Sequence, residues 1–181
     1  ISLINIAAGQ LDREGGWVFG RPAVDTLATL PTGTIGEPRS RVSGHPNVLG
    51  EYPSAAMAEE IETPGAGQIK ALFVIAGNPV LSTPNGARLA RALQSLELMV
   101  SIDIHRNATS ALAHYILPPT GPLERDHYGL FLLPMAARTI AVYSPPTLPR
   151  TPGSLDDWEI LRGIAGAISG TAVQAPTPRE A

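Results

Sequence analysis

Two unbroken apolar runs in the middle of the chain predict neighbouring strands. The first spans 71–76 and stops at the turn residues Gly77, Asn78 and Pro79, and the second spans 98–104. Runs of this kind are typical of strands that are covered on both faces. Between them, over 84–97, leucine and alanine recur at helical spacing, with arginine and glutamine off that stripe. Strand, helix and strand together have the size of one βαβ unit, so we expect parallel strands.

Weaker patterns predict shorter elements on either side of this unit. The predicted elements are the end of a helix in 1–8, a short helix over 54–61 capped by Ser54, a strand at 115–117 after a helical turn from Thr109, an edge strand or hairpin arm at 138–143, and a helix over 154–169. The last helix places Trp158, Leu161, Ala165 and Ile168 on one face. Ser154 and Asp157 have capping-box spacing, which gives Asp157 a local role and leaves Asp156 without one.

Glycine and proline interrupt one long stretch of the chain. They recur every few positions over 20–53, so we expect no regular element of useful length there. We also expect the tail over 171–181 to be frayed. The pattern as a whole predicts one α/β domain over 1–181 with its βαβ core in 69–170. Its sheet is expected to be Rossmann-like, open and mostly parallel, with helices on both faces, plus a long irregular insertion.

Composition excludes several classes of function. The 13 basic and 16 acidic residues give a net charge of −3, so no cationic surface is expected for nucleic acid or anionic lipid. No apolar run approaches the roughly 20 residues that span a bilayer. Without cysteine, the chain itself supplies no thiolate and ligates no iron–sulfur cluster. The chain opens at Ile1 instead of Met, so we expect an internal piece of a longer protein.

Polar residues follow both predicted strands of the βαβ unit. Asn78 comes directly after the first strand, and Asp103 lies at the end of the second. Because ligands of open parallel sheets bind beyond the carboxyl ends of the strands, these two side chains are candidates for one binding site. An aspartate there can accept two N–H donors from a guanine or a pair of ribose hydroxyls. The alternative is that Gly-Asn-Pro only turns the chain and that Asp103 caps the next segment.

Other chemistry finds little support. Gly65 and Gly67 begin a Gly-x-Gly pattern that precedes the strand instead of following it, and no Walker A sequence occurs. The histidines lack the spacing of a metal-binding pair. Arg125 lies in a charged run, 124–127, which a solvated loop explains about as well as a phosphate contact does. We assign no catalytic residue and no metal ligand.

Five motifs in one order resemble the molybdopterin oxidoreductase family. They are Gly9 with Gly15-Gly16, the strand and Gly-Asn-Pro turn at 71–79, Asp103 six residues before Thr109, the run 113–118 together with Glu124-Arg125-Asp126, and Asp157-Trp158. Formate dehydrogenases, periplasmic nitrate reductases and dimethyl sulfoxide reductases belong to this family. Some positions depart from its pattern: His114 stands where Asp is usual, Ser110 where Ala is usual, and His127-Tyr128 where Gly is usual.

The resemblance implies a role for the chain as a cofactor-binding domain. It implies that the domain holds the guanosine end of one molybdopterin guanine dinucleotide, with molybdenum or tungsten, and is inactive alone. The implied cofactor contacts are Gly77, Asn78, Pro79, Ser101, Ile102, Asp103, Thr109, Arg125, Asp156 and Asp157. The metal ligand and a 4Fe-4S cluster would belong to other domains of the longer protein, and electron-transfer subunits are possible partners.

Two alternatives remain open at this point. One is a non-catalytic nucleotide-binding or scaffold module with the same fold, and the other is a stand-alone Rossmann-like domain for another nucleotide. We expect a cytoplasmic location, with the periplasm as the alternative.

Overall fold

A computed structural model describes residues 2–20, 23, 33–129, 132, 136 and 138–171, which belong to two units. The larger unit contains the described residues of 32–121 and 150–181, and the smaller unit contains those of 1–31 and 122–149. Among the described residues, no helix is long and apolar enough to cross a bilayer. The expected frayed tail lies, apart from residue 171, outside the described residues.

The larger unit is built on a parallel three-stranded sheet. Its strands are β3 (Ala71–Ile75), β4 (Leu98–Ile102) and β5 (Tyr115–Ile116), in the order β3-β4-β5. Ala71 lies opposite Leu98, and the register continues without a break to Ile75 opposite Ile102. The predicted βαβ unit and its parallel strands are therefore confirmed.

The helix predicted over 84–97 is confirmed in a shorter form, and the structure adds a short helix before it that the sequence did not predict. Here α3 covers Pro79–Ser82 and α4 covers Gly86–Leu93. Thr83 is extended (φ −101°, ψ 156°), as the proline that follows it favours. At Gly86 a Cβ atom would lie 1.8 Å from the carbonyl oxygen of Val80, so only glycine permits this close approach of the two helices.

The core lies between the sheet and helices on one of its faces. Besides α4, this face is covered by α2 (Met57–Glu62), which follows a 3₁₀ turn at Ser54–Ala56. The buried cluster consists of Ala58, Ile61, Val74, Leu89, Ala92, Leu93, Leu96 and Met99. Three leucines of the predicted helical stripe are thus confirmed as core, and Ala92 is buried with them. Ser54 makes no capping hydrogen bond, so its predicted role as a helix cap is wrong.

The two central strands differ in burial, although the sequence predicted the same for both. β4 is buried almost throughout because it lies between two neighbours. β3 is the edge strand among the described residues: Val74 is buried, but Phe73 and Ile75 on the other face are 37% and 49% exposed. The prediction that β3 is covered on both faces is therefore wrong for the described residues.

Part of the glycine- and proline-rich stretch forms regular structure, contrary to expectation. β1 (Ile35–Arg39) pairs antiparallel with β2 (Pro46–Val48). Glu60 of α2 holds the connecting turn: it accepts hydrogen bonds from Arg41 Nε at 3.2 Å and from the backbone N–H of Val42 at 2.9 Å. Residues 21–22 and 24–32 of the stretch lie outside the described residues.

The remaining elements are short, apart from the last helix. In the smaller unit, α1 (Ser2–Ala7) confirms the first predicted helix, and β6 (His127–Tyr128) pairs antiparallel with β7 (Tyr143–Ser144). The strand predicted over 138–143 is wrong for 138–142, which are irregular. In the larger unit, α5 covers Asp157–Ser169 and buries Ile160 and Gly166. The predicted apolar face of α5 is largely exposed, with Ile168 at 75%.

The leucines of α3 and α4 provide a matched test of this packing. Leu93 is fully buried, whereas Leu81 is 79% exposed. We expect Leu93→Ala to lower the free energy of unfolding by about 2–5 kcal/mol, because the lost methyl groups leave a cavity. Leu81→Ala is expected to change it by less than about 0.5 kcal/mol. Urea unfolding of both variants measures the difference, and equal midpoints would contradict the assigned core.

Candidate functional site

The carboxyl ends of β3 and β4 meet at one edge of the sheet. The N–H of Ala76 donates to the carbonyl oxygen of Ile102 at 2.9 Å, so the two strands remain paired up to their last residues. Ala76 then adopts φ 49°, and Gly77 and Asn78 lead into α3, whose first residue is Pro79. Asp103 directly follows β4. The structure therefore confirms that Asn78 and Asp103 follow adjacent parallel strands.

A buried threonine fixes the Asn78 side chain. Thr109 Oγ1 donates to Asn78 Oδ1 at 2.7 Å and accepts the N–H of Val80 at 3.0 Å. Thr109 has no exposed surface, so neither hydrogen bond competes with water. The hydroxyl group thereby holds the asparagine and the first turn of α3 together. It leaves Asn78 Nδ2 as a hydrogen-bond donor.

The loop after β4 holds the Asp103 carboxylate on both sides. Its Oδ1 accepts a hydrogen bond from the backbone N–H of His105 at 2.8 Å, and its Oδ2 accepts one from Asn107 Nδ2 at 2.8 Å. An ionised carboxylate offers about four lone-pair positions, so each oxygen can still accept one more donor. Asp103 is half-buried, so part of its surface is exposed to solvent.

Asn107 connects the two halves of the site. Its Oδ1 accepts the N–H groups of both Thr109 and Ser110 at 2.9 Å, while its Nδ2 donates to Asp103. The fully buried Ser110 accepts the N–H of Asn107 at 2.8 Å in return. A continuous chain of hydrogen bonds thus runs from Asn78 through Thr109 and Asn107 to Asp103.

The sequence interpretation missed Asn107. An asparagine side chain often bonds to the backbone two residues further along the chain, and this local preference was the available signal. The alternative roles considered for the two strand ends are also present, because Asn78 begins α3 and Asp103 organises the following loop. These structural roles leave acceptor and donor positions open, so they are compatible with ligand binding.

Two further predicted residues lie in β4 itself. Ser101 and Ile102 are buried to 0% and 1% exposure, and Ser101 Oγ has no hydrogen-bond partner. Their side chains are therefore closed to a ligand in this chain, and any contact would involve the backbone at the end of the strand. Their role as cofactor contacts stays a prediction.

The predicted capping box of the last helix is wrong by two residues. Asp156 is the N-cap of α5, and its N–H donates to Glu159 Oε2 at 2.8 Å. Asp156 also accepts a hydrogen bond from the buried Thr120. Ser154 instead bonds back to the carbonyl oxygen of Thr151. Asp156 therefore does have a local role, and cofactor contacts by Asp156 and Asp157 stay predictions.

Arg125 belongs to the smaller unit, whereas Asp103 belongs to the larger one. It is half-buried, in the turn before β6. Its predicted contact with a cofactor remains a prediction from the resemblance.

The described residues provide no metal centre. No group of three or more histidine, aspartate or glutamate side chains in this part of the chain is arranged to hold a metal ion. His114 has a structural contact instead: the N–H of Met99 donates to its Nδ1 at 2.9 Å.

Comparisons with known proteins point to one family. A family model described as molybdopterin oxidoreductase matches residues 3–167. The catalytic subunit of assimilatory nitrate reductase from Bacillus subtilis is 32% identical over 61% of this chain and 15% of its own length. The alpha subunit of F420-dependent formate dehydrogenase from Methanocaldococcus jannaschii is 33% identical over 54% of this chain and 14% of its own length. The chain therefore spans a small part of these relatives.

A solved structure shares the fold. Acetylene hydratase from Pelobacter acetylenicus superimposes with a TM-score of 0.55, covering 67% of this chain and 16% of that chain. At 20% sequence identity, this likeness supports the fold alone.

The buried hydroxyl of Thr109 gives a direct test of the site's architecture. Thr109→Val keeps the shape of the side chain but leaves the N–H of Val80 without a partner, so we expect a loss of about 1–3 kcal/mol in the free energy of unfolding. Thr109→Ser keeps the hydroxyl and is the control. Hydrogen exchange at the Val80 amide should accelerate in the valine variant only, and equal exchange in both variants would contradict the assignment.

The cap of α5 predicts a pH dependence of stability. The N–H of Asp156, and then Arg150, lower the pKa of Glu159 in the folded chain. A lowered pKa stabilises the fold above the ordinary glutamate value, and this contribution is lost as the pH falls through the folded-state value. We therefore expect the melting temperature of the wild type to exceed that of Glu159→Gln at neutral pH, and the difference to close on acidification. A difference that stays constant down to about pH 3 would refute this.

Proposed function

The chain belongs to the molybdopterin oxidoreductase family, and from this premise we propose that it holds the guanosine end of one molybdopterin guanine dinucleotide. The family match covers residues 3–167, which includes both strand ends of the site. Members of this family use a pterin cofactor with molybdenum or tungsten. The guanine dinucleotide form of the cofactor, and its contacts with this chain, are our proposal.

The observation that carries the proposal is the open carboxylate at the end of β4. Each oxygen of Asp103 accepts one hydrogen bond from its own loop and retains another acceptor position. The N1–H and N2–H₂ groups of guanine are adjacent donors, and a carboxylate can accept both. Adenine offers an acceptor at N1 instead, so Asp103 favours guanine. Hydrogen bonds to a charged acceptor contribute about 1.5–3 kcal/mol each.

Asn78 supports this function from the neighbouring strand. The Thr109 hydroxyl orients the asparagine through Oδ1, so that Nδ2 can donate to an acceptor atom of the nucleotide. Thr109 itself is fully buried, and we assign it to positioning Asn78. Gly77 and Pro79 shape the turn in which Asn78 lies.

The remaining predicted contacts complete the proposal. Arg125 would offset the charge of the pyrophosphate. Asp156 and Asp157 lie at the start of α5, where Asp156 still has solvent contact. The bound cofactor would supply the transfer of two electrons with an oxygen atom or a hydride equivalent. The residues of this chain bind and orient one end of it, and we propose that the chain is inactive alone.

Other parts of a longer protein would provide the reaction centre. The relatives are named as catalytic or alpha subunits, and this chain covers 15% or less of those reported above. We propose that the metal ligand and a 4Fe-4S cluster come from such parts, and that electron-transfer subunits are the partners. A non-catalytic nucleotide-binding module is the rival, and a purified full-length protein without molybdenum or tungsten would favour it.

A carboxylate-to-amide exchange tests the guanine contact. In the full-length protein that carries this chain, Asp103→Asn replaces one acceptor by a donor that faces the donors of guanine. We expect about tenfold to a hundredfold weaker retention of the nucleotide, from the loss of one charge-assisted hydrogen bond. Metal and acid-released guanine nucleotide per polypeptide measure it.

Glu97→Gln is the matched control for this exchange. Glu97 directly precedes β4, at the opposite end of the same strand, and is paired with Lys70 on the surface. It should leave cofactor content unchanged. If Asp103→Asn retains the cofactor as well as Glu97→Gln does, Asp103 is not the guanine contact.

A further inference from the structure

The hydrogen-bond pattern around Asn107 restricts how its side chain can be oriented. Its Oδ1 accepts two backbone N–H groups, those of Thr109 and Ser110, and a side-chain NH₂ group cannot accept either of them. The amide group is therefore fixed with Nδ2 towards Asp103. It donates to Asp103 Oδ2 at 2.8 Å.

This contact determines which lone pairs of Asp103 remain for a ligand. The N–H of His105 takes one position on Oδ1, and Asn107 takes one on Oδ2. The carboxylate is thereby held against rotation, with one acceptor position left on each oxygen. Two adjacent donors of a ligand require this arrangement, because both oxygens must face the ligand at once.

We propose that Asn107 is the positioning residue of the guanine site, which sets the orientation of the Asp103 carboxylate without contacting the nucleotide. This inference rests on the proposed function, because it presupposes that Asp103 accepts the donors of guanine. It adds a residue to which neither the family resemblance nor the sequence analysis assigned a role. The buried Ser110 supports the same loop, because its hydroxyl accepts the N–H of Asn107.

Asn107 both accepts the N–H groups of its own turn and donates to Asp103, and a single substitution separates these two roles. Asn107→Asp keeps an oxygen for the N–H groups of Thr109 and Ser110, so the turn is retained. It replaces the donor towards Asp103 by a second carboxylate oxygen. When both carboxylates are ionised they repel each other, and Asp103 loses its fixed orientation. When the pair holds one proton, the introduced carboxyl group can donate to Asp103 in place of the amide.

The experiment measures the rate at which guanine nucleotide leaves the full-length holoprotein between pH 5 and pH 8. We expect Asn107→Asp to lose it about tenfold to a hundredfold faster than the wild type at pH 8, the range for one charge-assisted hydrogen bond. The ratio of the two rates should fall towards one at pH 5. A merely structural defect would leave this ratio independent of pH.

Comparison with the wild type at the same pH, and a control variant at position 108, account for the effect of nearby charges. His105 and Arg106 lie in the same loop, so each variant is compared with the wild type at the same pH. Among the described residues, β4 carries no titratable side chain, and no charged side chain forms an ion pair with Asp103. Ala108→Asp adds an equal charge at the exposed neighbouring position and should match the wild type.

The outcomes distinguish this inference from the proposed function. If Asp103→Asn accelerates loss of guanine nucleotide but Asn107→Asp matches the wild type at every pH, or differs by a constant ratio, Asn107 does not position the carboxylate. If Ala108→Asp behaves like Asn107→Asp, added charge alone explains the effect and the inference is wrong. If neither Asp103→Asn nor Asn107→Asp alters retention, the guanine assignment fails and the inference fails with it.

Discussion

The parallel pairing of β3 with β4 is the constraint on which the site depends. The two strands stay in register from Ala71 and Leu98 to Ile75 and Ile102, and the N–H of Ala76 extends the pairing by one residue. Because parallel strands end at the same edge, the residues that follow them are brought together. The core on the helical face fixes this arrangement, with Met99 of β4 and Leu93 of α4 fully buried between the sheet and the helices. The site is therefore formed by the strand ends, and its loops only adjust side-chain orientation.

A hydrogen-bonded network turns that edge into a binding surface. Thr109 reaches Asn78, and Asn107 connects the backbone of Thr109 to the Asp103 carboxylate. Every buried polar group in this network has a partner, while the Nδ2 group of Asn78 and one acceptor position on each oxygen of Asp103 remain open. Such a surface suits a planar ligand with adjacent donors, and this is the chemistry of a guanine edge. The proposed guanine assignment draws on both the family membership of the chain and this geometry.

The sequence predicted the centre of the fold well and its periphery poorly, for physical reasons. The apolar runs at 71–76 and 98–104 and the helical stripe between them depend on burial, which periodicity reports directly.

The features that the sequence did not predict depend on backbone conformation or on contacts between distant residues. The break between α3 and α4 depends on the extended Thr83 and on the close approach at Gly86, and a helical stripe in the sequence indicates neither of them. The antiparallel pair β1 and β2 is held by the tertiary contact of Glu60 with the turn between them, which no local pattern shows. Asn78 and Asp103 were predictable because strand topology places them, whereas Asn107 acts through hydrogen bonds within its own loop, and the sequence does not specify the conformation of that loop. The capping box was placed at Ser154 by spacing, although the helix begins two residues later.

The central claim is that guanine binds to Asp103 at the end of β4, and a crystal structure of the full-length protein with its cofactor tests it most directly. The account predicts N1 and N2 of one guanine at about 2.7–3.2 Å from the two oxygens of Asp103. It also predicts that Asn107 still donates to Oδ2 in that structure. A guanine bound at another part of the protein, with Asp103 facing only its own loop, would contradict the account.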